Sequence, residues 1–427
     1  HTPPTHTPTH THTHPAPPSP PGFPLPALPF SALLSLDPSA ASFAAHQLSS
    51  LGALQVTDIP LFAAARREAL ERAAECLEQQ DEQQDEQQDE QGGERDRAAS
   101  GVAAAVMRDG ALRRTVAAAS EGARRLPMSS QQCGRRAEQL RGLVGSSVRQ
   151  LFLLLDTAAQ WSHAQNVKHV EDTKIELLGP SYSRFEELAS EGRHLEHLHS
   201  YYSSSDCLNL SSHTAGTLPM HTDSGLFVAM TTGFVKGIGG TSQDVNLHLQ
   251  LPSGVVVRAE TDDDSLLILA GEGAAEWLLP VLGSPLRAMP HALVGSGLGC
   301  SPDNRRWTRS WYGMMILPPP NALVPAVDSN EKEKLIPYRD YREMELRLAA
   351  VVSADRLPTG CISSRWDRFA SNGLQKRLLS NELCTRSDGS NGIMCWTQCQ
   401  SVNELPCGKF RSMKYNARTV VILIALF

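Results

Sequence analysis

Short apolar runs that alternate with polar residues constrain the fold of this chain most strongly. Val245, Leu247, Leu249 and Leu251 alternate with polar neighbours, and Pro252–Gly254 then turns the chain. Such a period of two is the pattern of a β-strand with one buried face. Further short apolar runs, separated by turn residues, occupy 255–257, 265–269 and 312–317. Several short strands of this kind predict a β-sandwich or jelly roll.

The sequence before these strands favours helices. Residues 62–77 have helix-forming composition, and residues 135–156 carry apolar side chains spaced three and four apart, which make one apolar helix face. Those side chains are Leu140, Leu143, Val144, Val148, Leu151, Phe152 and Leu155. Residues 53–56 (ALQV) predict one short strand among them. The expected fold class is therefore α+β, with a helical N-terminal region before a jelly-roll core.

Changes in composition predict the organisation of the chain. We expect a disordered Pro/Thr/His leader, a helical N-terminal region, a jelly-roll domain, a helical extension containing a charged helix near 331–350, and an irregular Cys-containing tail. Their predicted ranges are 1–30, 31–193, 194–322, 323–355 and 356–427.

The net charge of −7 comes from one low-complexity insertion in the helical region. Residues 78–91 (EQQDEQQDEQQDEQ) carry seven acidic and no basic side chains, so 39 acidic and 39 basic residues remain elsewhere. A basic nucleic-acid-binding surface is therefore not indicated. No window holds the ~18–20 consecutive apolar residues of a membrane span.

The cysteines cluster toward the end of the chain. Five of the nine lie between Cys361 and Cys407. This clustering favours either a disulfide-stapled appendage in an oxidising compartment or a zinc site, and the spacing does not select between them.

The segment His221-Thr222-Asp223 lies within the strand-rich region. Residues i and i+2 of a strand point to the same face, so this imidazole and carboxylate can converge. His291 is placed to supply a third ligand from a distant strand. Two histidines and one carboxylate are the ligand set of non-haem Fe(II) sites, which keep open coordination positions. A competing cluster is formed by His194, His197 and His199, without an obvious acidic or Cys partner.

Four segments resemble the isopenicillin-N-synthase-like family of 2-oxoglutarate/Fe(II) dioxygenases. Residues 220–227 (MHTDSGLF) resemble the family's HxDxGxLT segment, and 265–272 (SLLILAGE) resemble its LVVNIGD strand and turn. Residues 309–318 (RSWYGMMILP) are similar to its RxSxAFFxxP strand, and 51–56 (LGALQV) to its GFFxVxNHG opening. The resemblance covers about residues 45–320 in the family's order.

The resemblance implies a double-stranded β-helix (jelly-roll) core that binds Fe(II) and uses 2-oxoglutarate as co-substrate. It implies that His221, Asp223 and His291 bind the iron and that Arg309 pairs with the far carboxylate of 2-oxoglutarate, since arginine holds a carboxylate bidentately. Arg306 is the alternative to Arg309. Tyr202 matches the family's tyrosine near the co-substrate. The family's serine two residues after the arginine is Trp311 in this chain.

The resemblance further implies oxidation of a small organic substrate with release of succinate and CO₂. Two alternatives stay open: an oxidase of the same fold that uses O₂ without 2-oxoglutarate, and a catalytically inactive binding or cell-surface protein whose Cys-rich tail is functional. Family resemblance implies a cytoplasmic location and the tail a secreted or cell-surface one, so the location stays open, as does the oligomeric state.

Overall fold

A computed structural model gives the architecture of the chain. It describes residues 20–79, 102–107, 111–119, 131–166, 175–202, 218–236, 247–278, 282–294, 308–327 and 333–352. The leader up to residue 19, most of the acidic repeat, Arg306 and the predicted Cys-containing tail lie outside these ranges.

The described residues form a mixed helix and strand structure, as the sequence predicts. The helices are α1 Phe30–Ser35, α2 Pro38–Ser50, α3 Phe62–Glu71, α4 Gln131–Asn166, α5 Phe185–Glu191, α6 Glu272–Trp277 and α7 Tyr338–Val352. The first eight strands are β1 Gly22–Pro24, β2 Ala27–Pro29, β3 Ala53–Thr57, β4 Val102–Val106, β5 Leu112–Ala119, β6 Leu195–Tyr202, β7 Leu218–His221 and β8 Phe227–Thr231. The others are β9 Phe234–Lys236, β10 Leu247–Gln250, β11 Val256–Glu260, β12 Leu266–Ala270, β13 His291–Leu293, β14 Thr308–Ile316, β15 Leu323–Val327 and β16 Glu333–Pro337.

The described strands assemble into two larger sheets and a separate hairpin. One sheet has five strands in the order β1-β11-β10-β13-β7. The other has nine, in the order β2-β3-β12-β8-β14-β6-β5-β4 with β9 paired to β14. Pairing is antiparallel except at β1–β11 and β2–β3. Within the described ranges, no helix is long and apolar enough to span a membrane.

Helix α4 covers the outer face of the nine-stranded sheet. Its apolar stripe is buried, and Phe152 makes edge contacts with Phe185 of α5 and Phe227 of β8, at centroid distances of 6.1 and 5.4 Å. The predicted helix over 135–156 is thus confirmed and is longer at both ends. Arg141 of α4 forms a bidentate pair with the buried Glu196 of β6.

The region expected to be helical, 31–193, also contains strands. Residues 102–106 (VAAAV) have the composition of a helix, yet they pair with β5, which in turn pairs with β6. The same region contains a disulfide between Cys76 and Cys133, which are 57 residues apart, so this disulfide lies outside the predicted Cys-containing tail.

Two further expectations are corrected by strand pairing. The end of the supposed disordered leader contributes β1 and β2, which add as parallel edge strands where the missing N–H of proline is tolerated. The charged helix predicted near 331–350 begins only at Tyr338, because residues 333–337 pair with β15 as a hairpin.

Candidate metal centre and cavity

The His221, Asp223 and His291 side chains converge between the two larger sheets. His221 ends β7 and His291 begins β13, and the two residues are directly paired across these antiparallel strands. Asp223 follows two residues after His221 in the turn. Its carboxylate oxygens lie 3.9 Å from His221 Nε2 and 3.5 Å from His291 Nε2. One ligand atom from each residue lies within 4.8 Å of the others, and all three residues are buried.

Backbone hydrogen bonds orient both imidazoles. His221 Nδ1 lies 2.7 Å from the Pro219 carbonyl oxygen, and His291 Nδ1 lies 3.0 Å from that of Met289. Each Nδ1 therefore carries the proton, so each Nε2 presents its lone pair to the shared centre.

The donor set fits a divalent metal. His221 Nε2 is buried without a hydrogen-bond partner, although a buried polar atom normally has one. Burial, followed by the neighbouring His291, lowers the pKa of His221, which favours the neutral imidazole that binds metals. Across the described residues, no other set of three His, Cys, Asp or Glu side chains converges in this way.

The turn that carries Asp223 is held against Gly271. The Glu272 backbone N–H donates to the Asp223 carbonyl at 2.7 Å, and Thr222 Oγ1 donates to the Glu272 carboxylate. A Cβ at Gly271 would lie 2.2 Å from the Gly225 carbonyl oxygen, so this close approach requires glycine. The packing fixes the backbone from which Asp223 projects.

One face of the nine-stranded sheet forms the wall of the cavity beside this triad. We call it the cavity face and define it by residues of β5, β6 and β14: Arg113, Thr115, His197, His199, Tyr201, Arg309, Trp311, Gly313 and Met315. Across the three strands these residues stand in register, with Arg113, Tyr201 and Arg309 in one row and Thr115, His199 and Trp311 in the next.

The cavity has an empty volume of about 840 Å³, including its open mouth. Its remaining wall is the triad together with apolar side chains from both sheets: Leu218, Val228, Met230, Leu247 and Leu293.

Arg309 lines the cavity, whereas Tyr202 does not. The Tyr202 hydroxyl donates to the Ala74 carbonyl at 2.6 Å, and its ring lies under Arg114. Alternation along β6 instead directs Tyr201 into the cavity, where the Arg309 guanidinium carbon lies 6.0 Å from its ring centroid. Tyr201, rather than the predicted Tyr202, therefore lines the cavity.

The three histidines of the competing cluster, His194, His197 and His199, do not lie together: only the last two line the cavity. His194 lies outside the cavity lining and has both ring nitrogens engaged, with the Ala189 carbonyl at 2.9 Å and the Leu317 N–H at 3.2 Å. His197 and His199 line the cavity, stacked at a centroid distance of 5.4 Å. Burial lowers the pKa of His197 to about 4 and that of His199 well below its usual value, so both are neutral at pH 7.

Sequence reasoning missed Arg113 and Thr115. Both belong to β5, whose Ala-rich surroundings favour a helical interpretation. The available signal was the alternation of Leu112, Arg114 and Val116 with Arg113 and Thr115, which places the last two on one face of a strand.

Comparison with known proteins gives structural similarities only. No family model and no curated protein matches the sequence. The chain is similar in structure to Neurospora crassa T7H in complex with alpha-KG, at 13% identity and a TM-score of 0.49, covering 76% of this chain and 96% of that one. It is also similar to a rice dioxygenase for auxin oxidation, at 12% identity and a TM-score of 0.46, covering 76% and 95%. A third similar structure is JOX2 in complex with 2OG, Fe and JA, at 10% identity and a TM-score of 0.44, covering 81% and 88%.

Proposed function

We propose that this chain is a non-haem Fe(II) and 2-oxoglutarate-dependent oxygenase of the isopenicillin-N-synthase-like kind, with the two larger sheets as its double-stranded β-helix core. The observation that carries the proposal is the convergence of two buried Nε2 atoms and one carboxylate on a single point at the wall of a cavity. The sequence motifs around these residues support it independently.

His221, Asp223 and His291 would hold the metal from one side. The hydrogen bonds from the two histidine Nδ1 atoms to backbone carbonyls fix the orientations of the imidazole rings. The carboxylate of Asp223 supplies one negative charge. When bound, Fe(II) with 2-oxoglutarate and O₂ supplies an oxidative decarboxylation, yielding succinate and CO₂, coupled to oxidation of an organic substrate.

Arg309 would bind the far carboxylate of 2-oxoglutarate, with Tyr201 beside it. The guanidinium is buried, and a Cβ at Gly233 would lie only 2.8 Å from its Nε. The lack of a side chain at Gly233 therefore makes room for the Arg309 guanidinium. The loop that contains Gly233 is held by Arg66, which donates to the carbonyls of Thr232 and Gly233 at 3.2 and 2.9 Å.

The rest of the cavity suits a small organic substrate. Apolar side chains from both sheets line it, and the neutral imidazoles of His197 and His199 add polarity without charge. The function of these residues would be to orient the substrate beside the metal.

Anaerobic titration of the purified full chain with Fe(II) and 2-oxoglutarate tests the proposal. We expect the weak visible charge-transfer band of a chelated 2-oxoglutarate, and we expect His221→Ala to abolish it. His248→Ala is a matched control, because His248 lies on β10 of the same five-stranded sheet but outside the cavity lining. Absence of the band in the wild-type protein would overturn the proposal.

A turnover assay separates this function from its alternatives. Once a substrate is oxidised, one succinate should form per oxidised substrate molecule. Turnover without succinate would instead identify an oxidase that uses O₂ alone, and metal binding without any turnover would support an inactive binding protein.

A further inference from the structure

Arg113 has a buried cationic side chain without a partner in the described part of the chain. The residue is 6% exposed, its Nε is buried without a hydrogen-bond partner, and no carboxylate of the described residues forms an ion pair with it. Two other arginines differ: the buried Arg66 donates to two backbone carbonyls, and the half-buried Arg141 is paired with Glu196. A buried charge is costly unless it is paired, so Arg113 is poised for an anion that comes from outside the chain.

A second unpaired donor faces the same cavity. Trp311 Nε1 is buried and has no hydrogen-bond partner among the residues that the structure describes. The neighbouring imidazoles of His197 and His199 offer no negative charge, and the carboxylate of Asp223 is directed at the two histidines of the triad. The cavity therefore contains one positive charge, that of Arg113, and one hydrogen-bond donor, Trp311 Nε1, that no described residue satisfies.

The formal charges in the cavity indicate how many negative charges its ligands should carry, a step that rests on the proposed function. Fe(II), Asp223, Arg113 and Arg309 sum to a charge of about +3. The dianion 2-oxoglutarate, bound at the metal and Arg309, leaves about +1. One further carboxylate balances this charge.

The register of the strands separates the two guanidinium groups. Arg113 and Arg309 flank Tyr201 in one row, so their backbones are two strand spacings, about 10 Å, apart. They are therefore placed to bind two different carboxylates. Leu218 and Leu293, which line the cavity together with Arg113, belong to a buried apolar cluster that also contains Met107 and Ala111. A ligand bound there would place an apolar body beside its carboxylate.

We infer that the substrate oxidised by this protein is an organic monocarboxylate with an apolar body, and that Arg113 binds its carboxylate. Arg113 is a substrate-binding residue in this assignment, and Arg309 remains the residue for the co-substrate.

Calorimetry on the full chain loaded with Mn(II) and 2-oxoglutarate tests this inference without turnover. The probes are 3-phenylpropanoate and octanoate, each compared with its primary amide, which has nearly the same shape but no charge. We expect at least one carboxylate to bind at least tenfold more tightly than its amide. Arg113→Gln should abolish that preference while changing the Kd of 2-oxoglutarate less than twofold.

Two further variants provide the controls. Arg114→Gln removes the same charge from the opposite face of the same strand, where Arg114 stacks on Tyr202, and should retain the preference for carboxylate. Arg113→Lys keeps the charge and should retain part of it, which also distinguishes loss of binding from loss of folding.

Three outcomes would overturn the inference. One is a wild-type protein that binds Mn(II) and 2-oxoglutarate but neither carboxylate better than its amide. Another is an Arg113→Gln variant that weakens 2-oxoglutarate as strongly as Arg309→Gln, which would make Arg113 a co-substrate residue. Failure of the wild-type protein to bind Mn(II) and 2-oxoglutarate would refute the proposed function itself, and the inference would fall with it.

Discussion

Replacement of Arg309 by glutamine should weaken 2-oxoglutarate binding far more than metal binding. Arg309 is 6% exposed and lies in the cavity on β14, while the metal ligands belong to β7, β13 and the turn after β7. Loss of a buried charge-assisted pair costs about 2–5 kcal/mol. At about 1.4 kcal/mol per factor of ten, the Kd of 2-oxoglutarate should rise by a factor between about 30 and several thousand.

Gly233→Ala tests the same site without removing the charge. The new Cβ would lie 2.8 Å from Arg309 Nε and 3.0 Å from its Cζ, so the guanidinium must shift. A misplacement of about 1 Å can cost about a hundredfold, and a smaller shift should weaken 2-oxoglutarate binding by roughly three- to tenfold.

The assay is an anaerobic titration that follows the charge-transfer band, with iron affinity measured separately. Arg258→Gln, on the solvent-exposed side of β11, is the control for loss of one arginine. A Kd in Arg309→Gln within threefold of the wild-type value would refute the role of Arg309. Parallel loss of iron and 2-oxoglutarate binding would refute the separation of the two sites.

Three further predictions concern stability. Arg141→Ala should lower the free energy of unfolding in urea by about 3–5 kcal/mol, because it leaves the Glu196 carboxylate buried without its cation; a loss below 1 kcal/mol would contradict this. Because burial lowers the pKa of His197 to about 4, the metal-free protein should lose stability as pH falls from about 6.5 to about 4, where the unfolded chain takes up a proton that the folded chain does not. In urea titrations at several pH values, His197→Phe should reduce the slope of the unfolding free energy against pH by up to about 1.4 kcal/mol per pH unit. An unchanged slope would refute the assignment of this pH dependence to His197. Cys133→Ser should cost about 2–4 kcal/mol, since the disulfide with Cys76 closes a long loop, and an unchanged melting temperature would argue against the bond.

The elements foreseen from sequence are those whose apolar period is strong and local. The stripe of α4 and the strand at 53–57 are of this kind. Strand β4 was not foreseen, because the composition of VAAAV favours a helix and only pairing with β5 makes it a strand. The same holds for residues 333–337, where pairing with β15 overrides a charged sequence that suits a helix.

The site shows the same division between local and long-range information. His221 and Asp223 are only two residues apart, so sequence proximity keeps them close although Asp223 lies in the turn after β7, and the family resemblance supplies His291. Arg113 is brought to the cavity only by the pairing of β5 with β6, which no local pattern reveals. Tyr201 and not Tyr202 lines the cavity because successive residues of a strand point to opposite faces.

Trp311 is the residue that departs most from the family pattern, and its surroundings explain how the site accommodates it. Ser310, the serine nearest to Arg309, faces away from the cavity and lies 2.7 Å from Ser200 Oγ, so it cannot replace the family's serine. Trp311 stands two residues after Arg309 on the cavity face, where its indole stacks on the His199 ring at a centroid distance of 4.4 Å. His199 is itself held 2.7 Å from Thr115 Oγ1. The indole thus lies against the wall formed by β6, and its buried Nε1 still offers the cavity one hydrogen-bond donor, as a serine hydroxyl would. Under the proposed function, Trp311 would therefore keep one hydrogen-bond donor on the cavity face two residues after Arg309, where a second contact to 2-oxoglutarate would need it.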